Sequence, residues 1–272
     1  MDSRDYTPLT ASMVQSTRDM QLIIRTSETA LDVALFNQAE DNSLILRHFG
    51  LEPDADGSVL RHLEEIIYDN PLLLGDFARV DIIVDTPVFT VVPDRVADDA
   101  DLCETILDQM FPDRDDSELV VNRLPDNASV VMAVSNDLAG FFRRAFGSPQ
   151  FFCHLTPLIK FYGDRRRHGN TARMFANLRP GAVDIFVFGY HTLVLANTVP
   201  FRDTADAVYY ILAVRDLLSI NDDADELLVS GDSDLRKVVI ADLRKFIPYV
   251  MPVIFPSAMF RVGRDALNAP FD

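Results

Sequence analysis

Short runs of apolar residues with polar turns between them open the chain. Residues 20–25, 30–37 and 43–49, rich in Leu, Ile and Val, predict an antiparallel meander. Val59, Leu60, Leu63, Ile66 and Ile67 then recur at helical spacing until Asn70-Pro71 stops the helix. Residues 80–84 and 88–92 read as buried strands, with Pro87 marking a bend or an edge between them. A helix over 98–111 has Leu102, Ile106, Leu107 and Met110 on one face, and Asp98, Asp99 and Asp101 in its first turn, where acids favour the helix dipole. Residues 119–124 and 129–135 form a hairpin about Pro125-Asp126-Asn127. A helix capped by Asn136 follows, with Leu138, Phe141, Phe142 and Phe146 inward and Gly147 as its stop.

The same order then returns. Strands at 173–177, 183–188 and 192–201 precede a helix at 204–218 and a strand at 226–230; Ser233 caps a helix over 234–246, and 250–255 returns as a strand. The helix at 204–218 is apolar nearly all round from Ala207 to Val214, which predicts a place between layers. Its expected position, like that of the helix near Val59, is the interface side of its half. The junction falls at Gly147-Ser148-Pro149 or in the basic segment 163–169, and a helix at 156–162 between them can pack across both halves. The predicted organisation is a loose tail over 1–18, a first lobe over 19–150 and a second over 151–272.

Composition narrows the function. A formal charge of −17 disfavours nucleic acid and anionic lipid, both of which are met by Lys and Arg. Cys103 and Cys153 lack metal-binding or disulfide spacing and read as buried or idle thiols. Neither a signal peptide nor a span-length apolar run is visible, so a cytoplasmic protein without direct membrane insertion is expected. Asp81 and Asp85 could suggest the paired carboxylates of a two-metal nuclease, but the net charge argues against it, and an Asx turn explains Asp85. His154, among Phe151, Phe152 and Leu155, reads as a hydrogen-bonded core residue.

The segments Asn70-Pro71-Leu72-Leu73-Leu74, Phe89-Thr90-Val91-Val92-Pro93, Phe151-Phe152-Cys153-His154, Leu195-Ala196-Asn197-Thr198, Asp206 with Tyr209-Tyr210-Ile211-Leu212, and Leu228-Val229-Ser230-Gly231 carry a resemblance through their order. The chain resembles a bacterial family of unknown function, DUF3822, whose fold is actin-like. The second half is similar to actin-like proteins of pilus assembly and type II secretion. The resemblance implies an α/β protein of actin-like ATPase (ribonuclease H-like) fold: two duplicated lobes, each a mixed sheet flanked by helices. It also implies a scaffold that can engage a membrane-bound protein partner.

In that fold, nucleotide and magnesium sit between the halves, on the first hairpin turn of each and on a Gly turn before a late helix. Three places here correspond. At the first turn Ser27, Glu28 and Thr29 either meet a metal-phosphate or form a plain solvated turn, and no Gly is present to admit a phosphate. At the second, Asn177 stands where an acid is expected; Arg179 and Gly181 either meet an anion or belong to a turn made rigid by Pro180, which lacks an amide donor. At the third, Ser230, Gly231 and Asp232 open a helix and either contact an adenosine or supply a cap and an unusual backbone angle. The expectation is a non-hydrolysing binding or scaffold module with a degenerate cleft and no required cofactor. The alternative is an ATP-binding protein with weak magnesium-dependent ATPase activity. The basic island Arg165, Arg166, Arg167 is the expected dock for an acidic segment of a protein partner.

Overall fold

The computed structural model describes residues 16–37, 39–40, 43–114, 116–125, 127–165, 172–189, 192–220 and 226–253. In chain order the first part comprises β1 (Met20–Thr26), β2 (Ala30–Asn37), β3 (Ile45–Gly50), α1 (Leu60–Asp69), β4 (Arg79–Val84), β5 (Phe89–Pro93), α2 (Asp94–Ala97), α3 (Ala100–Met110), β6 (Ser117–Arg123), β7 (Ala128–Ser135) and α4 (Asn136–Phe146). It continues with β8 (Gln150–Cys153), α5 (Leu155–Arg165), β9 (Arg173–Arg179), β10 (Ala182–Phe188), β11 (Leu193–Pro200), α6 (Thr204–Leu217), β12 (Glu226–Gly231), α7 (Ser233–Leu243) and β13 (Val250–Pro252).

Two five-stranded sheets have the same order, β3-β2-β1-β4-β8 and β11-β10-β9-β12-β13. In each, an antiparallel meander is extended by parallel strands at its first strand, β4 against β1 and β12 against β9. The duplication expected from the element order is therefore present in the pairing itself. β8 pairs with β4, so the first sheet reaches Cys153. Strands β5, β7 and β6 form an antiparallel sheet of their own, inserted between β4 and α4 and covered by α2 and α3.

Alternation along β10 decides how the second sheet packs. Val183, Ile185 and Val187 face α6 and α7, while Asp184, Phe186 and Phe188 face the other way. Phe175 and Phe186 stack there with centroids 5.2 Å apart, and Tyr162 of α5 lies over them at 4.3 and 5.4 Å. These rings join the core of the first half, which also gathers Leu22, Ile24, Leu63, Ile67 and Phe142. The helix expected at 156–162 thus packs across both halves.

Some expectations fail on burial. Helix α6 is not between layers and not on the interface side: it shares its core with α7 on the face away from α5. Tyr209 is 66% exposed. The sheet's inner face is already covered by α5, so α6 has only Ala207, Val208, Ile211 and Arg215 to bury. On α3 the buried residues are Cys103 and Leu107; Leu102 and Met110 are exposed, because the small inserted sheet covers only a narrow stripe. Both cysteines are buried and free, as expected. The tail over 1–15 and the strand residues beyond Val253 lie outside the described residues, as do Arg166 and Arg167. Arg165 closes α5. Among the described residues no helix is long and apolar enough to cross a membrane.

Candidate functional site

The C-terminal ends of β1, β4 and β8 meet the inner face of the second sheet, and the side chains that meet there are polar. Asp85 follows β4 and donates its amide to Thr26 O at 2.8 Å; His154 follows β8 and donates its amide to Val84 O at 3.1 Å. The inserted sheet fixes β8 from the other side. Asn122 of β6 donates from Nδ2 to Phe151 O at 2.9 Å and accepts from Cys153 N at 2.8 Å, which extends the ladder through a side chain. Phe89 of β5 stands edge-on to the His154 ring at 5.7 Å.

On the second sheet the strand register places Thr198, Asp184, Asn177 and Ser230 in one row across four neighbouring strands. Hydrogen bonds run along it. Thr198 Oγ1 donates to Asp184 Oδ1 at 2.9 Å, Asn177 Nδ2 to Asp184 Oδ2 at 3.0 Å, and Ser230 Oγ to Asn177 Oδ1 at 3.0 Å.

Arg179, at the end of β9, joins this row to the first half. Its Nε and Nη2 both donate to the Asp184 carboxylate at 2.8 Å, and its Nη1 donates to Asp85 Oδ2 at 2.7 Å. Arg25 of β1 also donates to Asp85, at 3.3 and 3.2 Å. His154 brings Nε2 to 3.0 Å from Thr198 Oγ1 and 3.3 Å from Asp184 Oδ1, with Nδ1 at 3.8 Å from Asp85 Oδ1. Paired guanidinium contacts of this kind are the stronger class of protein hydrogen bond.

Burial opposes the charge of Asp184, Asp85, His154 and Arg179, and their partners outweigh it. For Asp184 the opposing groups are Arg179 and His154, which hold its carboxyl well below the usual carboxylate range. For Asp85 they are Arg25, Arg179 and His154, and its pKa is also lowered. Burial pulls His154 down, but the Cys153 sulfur and the Asp184 carboxylate push it up to about 10. Arg179 is raised, against burial, by Asp184 and Asp85. The product is a buried array of charged groups in which both carboxylates face guanidinium groups. Among the described residues no group of three His, Cys, Asp or Glu side chains is placed to hold a metal ion.

The residues singled out from the sequence fall in separate places. Arg179 and Ser230 belong to the network. Ser27 closes its hairpin by accepting from Ala30 N at 3.0 Å, and Glu28 is exposed. Gly181, at φ +79°, and Asp232 line an open surface groove of about 520 Å³ together with Pro180, Phe201, Arg202 and Asp203. Asp232, and not Ser233, caps α7, accepting from Asp234 N at 3.0 Å and Leu235 N at 2.9 Å, so those amides already have an anion. Gly231 is required by a close approach: a Cβ there would stand 2.0 Å from Leu178 O, at φ +93°. Two further readings change. Asp85 forms ion pairs with two arginines and is no Asx turn. The acid missed in the turn after Asn177 is Asp184, directly opposite Asn177 on the next strand. Its signal was an Asp at an inward position of an otherwise apolar alternation, Ala182–Phe188.

The model of the family described as protein of unknown function (DUF3822) matches residues 11–250, and the chain belongs to that family. A crystal structure from Bacteroides thetaiotaomicron VPI-5482, of a protein with actin-like ATPase fold and unknown function, is 24% identical with a TM-score of 0.80. The match covers 93% of this chain and 97% of that one. A chain of the PilM-PilN type IV pilus biogenesis complex is 12% identical with a TM-score of 0.54, covering 94% of this chain and 96% of that one. No curated protein matches the sequence. The fold is thus that of the actin-like ATPases.

Proposed function

We propose that this member of the DUF3822 family is a cytoplasmic binding or scaffold module that uses the actin-like fold without hydrolysing ATP. The observation that carries the reading is Arg179. Its guanidinium ties Asp184 of the second sheet to Asp85 of the first, between the halves where the actin-like resemblance leads one to expect a nucleotide. Magnesium needs open carboxylate oxygens, and here both acids are engaged by arginines. Phosphates need free backbone amides; one turn has Pro180, and the amides at α7 are capped by Asp232. The residues present do not fit a magnesium nucleotide.

Two halves fixed to each other make a rigid platform, and rigid platforms lose little entropy when they bind a protein. The PilM-PilN assembly, a complex built on this fold, is consistent with such use. The charge of −17 directs the partner away from nucleic acid and anionic membrane. The test is steady-state phosphate release from magnesium ATP by the full chain. Release indistinguishable from buffer supports the reading; magnesium-dependent release that disappears in Asp184→Asn overturns it.

A further inference from the structure

Asp85 stands where three cationic groups converge. Arg25 donates to Oδ1 and Oδ2 of the carboxylate at 3.3 and 3.2 Å, Arg179 to Oδ2 at 2.7 Å, and His154 Nδ1 lies 3.8 Å from Oδ1. Arg179 and His154 do not depend on Asp85 for their positions. Arg179 is gripped through two other nitrogens by Asp184, and His154 is held by Asp184 and Thr198. Their backbones are set by β9 and by the His154 amide bond to Val84. Removing the Asp85 carboxylate would leave a guanidinium Nη1, a second guanidinium and an imidazole facing one space. That donor set binds the oxygens of a phosphoryl group as readily as those of a carboxylate.

We propose that Asp85 is a resident anion: Arg25, Arg179 and His154 form an anion site that the chain fills with its own carboxylate and that takes a phosphoryl oxyanion when the carboxylate is removed. The inference rests on the reading of a cleft closed to nucleotide and deepens it by naming the side chain that closes it. A tethered carboxylate competes at the effective concentration of an intramolecular ligand, which free phosphate does not reach in dilute solution. Asp85 is thus the determinant of what the cleft refuses.

The test is thermal denaturation of wild type, Asp85→Ala and Asp85→Ala/Arg25→Met in inorganic phosphate against chloride at equal ionic strength, with phosphorus NMR line widths on the same samples. Phosphate raises the melting temperature of many proteins slightly through exclusion from their surfaces, so the reading is the excess over wild type. The expected result is a saturable rise of several degrees and a broadened phosphorus line in Asp85→Ala only. If Asp85→Ala does not fold in chloride, the site predicts that phosphate restores its circular dichroism. Equal responses in wild type and Asp85→Ala, no restoration by phosphate, or saturable binding to wild type would each overturn the proposal. Nucleotide turnover by wild type, by contrast, overturns the closed-cleft reading without using the variant.

Discussion

The opening hairpins of the two halves are the same device with different consequences. In the first, Ser27 N donates to Ala30 O across Glu28-Thr29; in the second, Arg179 faces Ala182 across Pro180-Gly181. Counting back from the turns, Asp32 on β2 corresponds to Asp184 on β10, and Arg25 corresponds to Asn177. Asp32 meets His48 on β3 at 2.6 Å with its side chain 22% exposed. Asp184 meets Thr198 on β11 and is 0% exposed. The residue at the turn makes the difference. Ser27 closes its own hairpin, whereas Arg179 folds back on Asp184 and reaches across to the other half. One acid position therefore serves as a part-exposed pair in one half and as a buried tie between halves in the other.

The largest expected break comes from copying one half into the other. At the register where β4 carries Val84 against Thr26, β12 carries Gly231 against Leu178. Gly231→Val sets a Cβ 2.0 Å from Leu178 O and 2.5 Å from Leu178 N, where backbone cannot give way. It is expected to yield no folded protein by circular dichroism; a variant with the wild-type melting temperature would mean the halves are alike at this point. Arg179→Met comes next. Losing the partner of buried Asp184 and Asp85 is expected to lower stability by about 3–5 kcal/mol in urea denaturation. A loss under about 1 kcal/mol would show that Arg179 does not tie the halves.

The pH profile gives an intermediate effect. His154 is raised to about 10, so its contribution is complete below the ordinary histidine value near 6.5 and is lost as pH climbs towards about 10. Asp184 and Asp85 are lowered, so theirs is complete above about pH 4 and is lost as pH falls through the depressed folded values. The melting temperature is expected to decline between about pH 6.5 and 10, and His154→Gln should flatten that decline. An unchanged slope in His154→Gln would place the alkaline loss elsewhere. The smallest effect belongs to the first half: His48→Gln removes a part-exposed pair, with an expected change of about 0–1 kcal/mol at neutral pH.

Much of the fold was readable because it is written in local periodicity. The apolar run in Ala182–Phe188 names a strand, and the helical spacing of Leu63 and Ile67 names a helix and its inward face, without outside help. Burial read the same way fails where a neighbour decides it. Tyr209 is exposed because α5 already covers the opposite face of that sheet, and nothing within α6 records this. The site was least readable. Asp85, His154, Arg179 and Asp184 come from four segments, and the pairing that unites them exists only once β4, β8, β9 and β10 are in register. The turn residues point to Arg179, and the apolar setting of His154 points to a hydrogen-bonded core residue, but neither names Asp184 on the neighbouring strand.

Calorimetric titration of the 272-residue chain with magnesium ATP at neutral pH tests the account most directly. A cleft held shut by Arg179, Asp184 and Asp85 predicts no saturable heat for wild type. Saturable heat for wild type that vanishes in Asp184→Asn would contradict it, because the acid assigned to closing the cleft would then be serving the nucleotide.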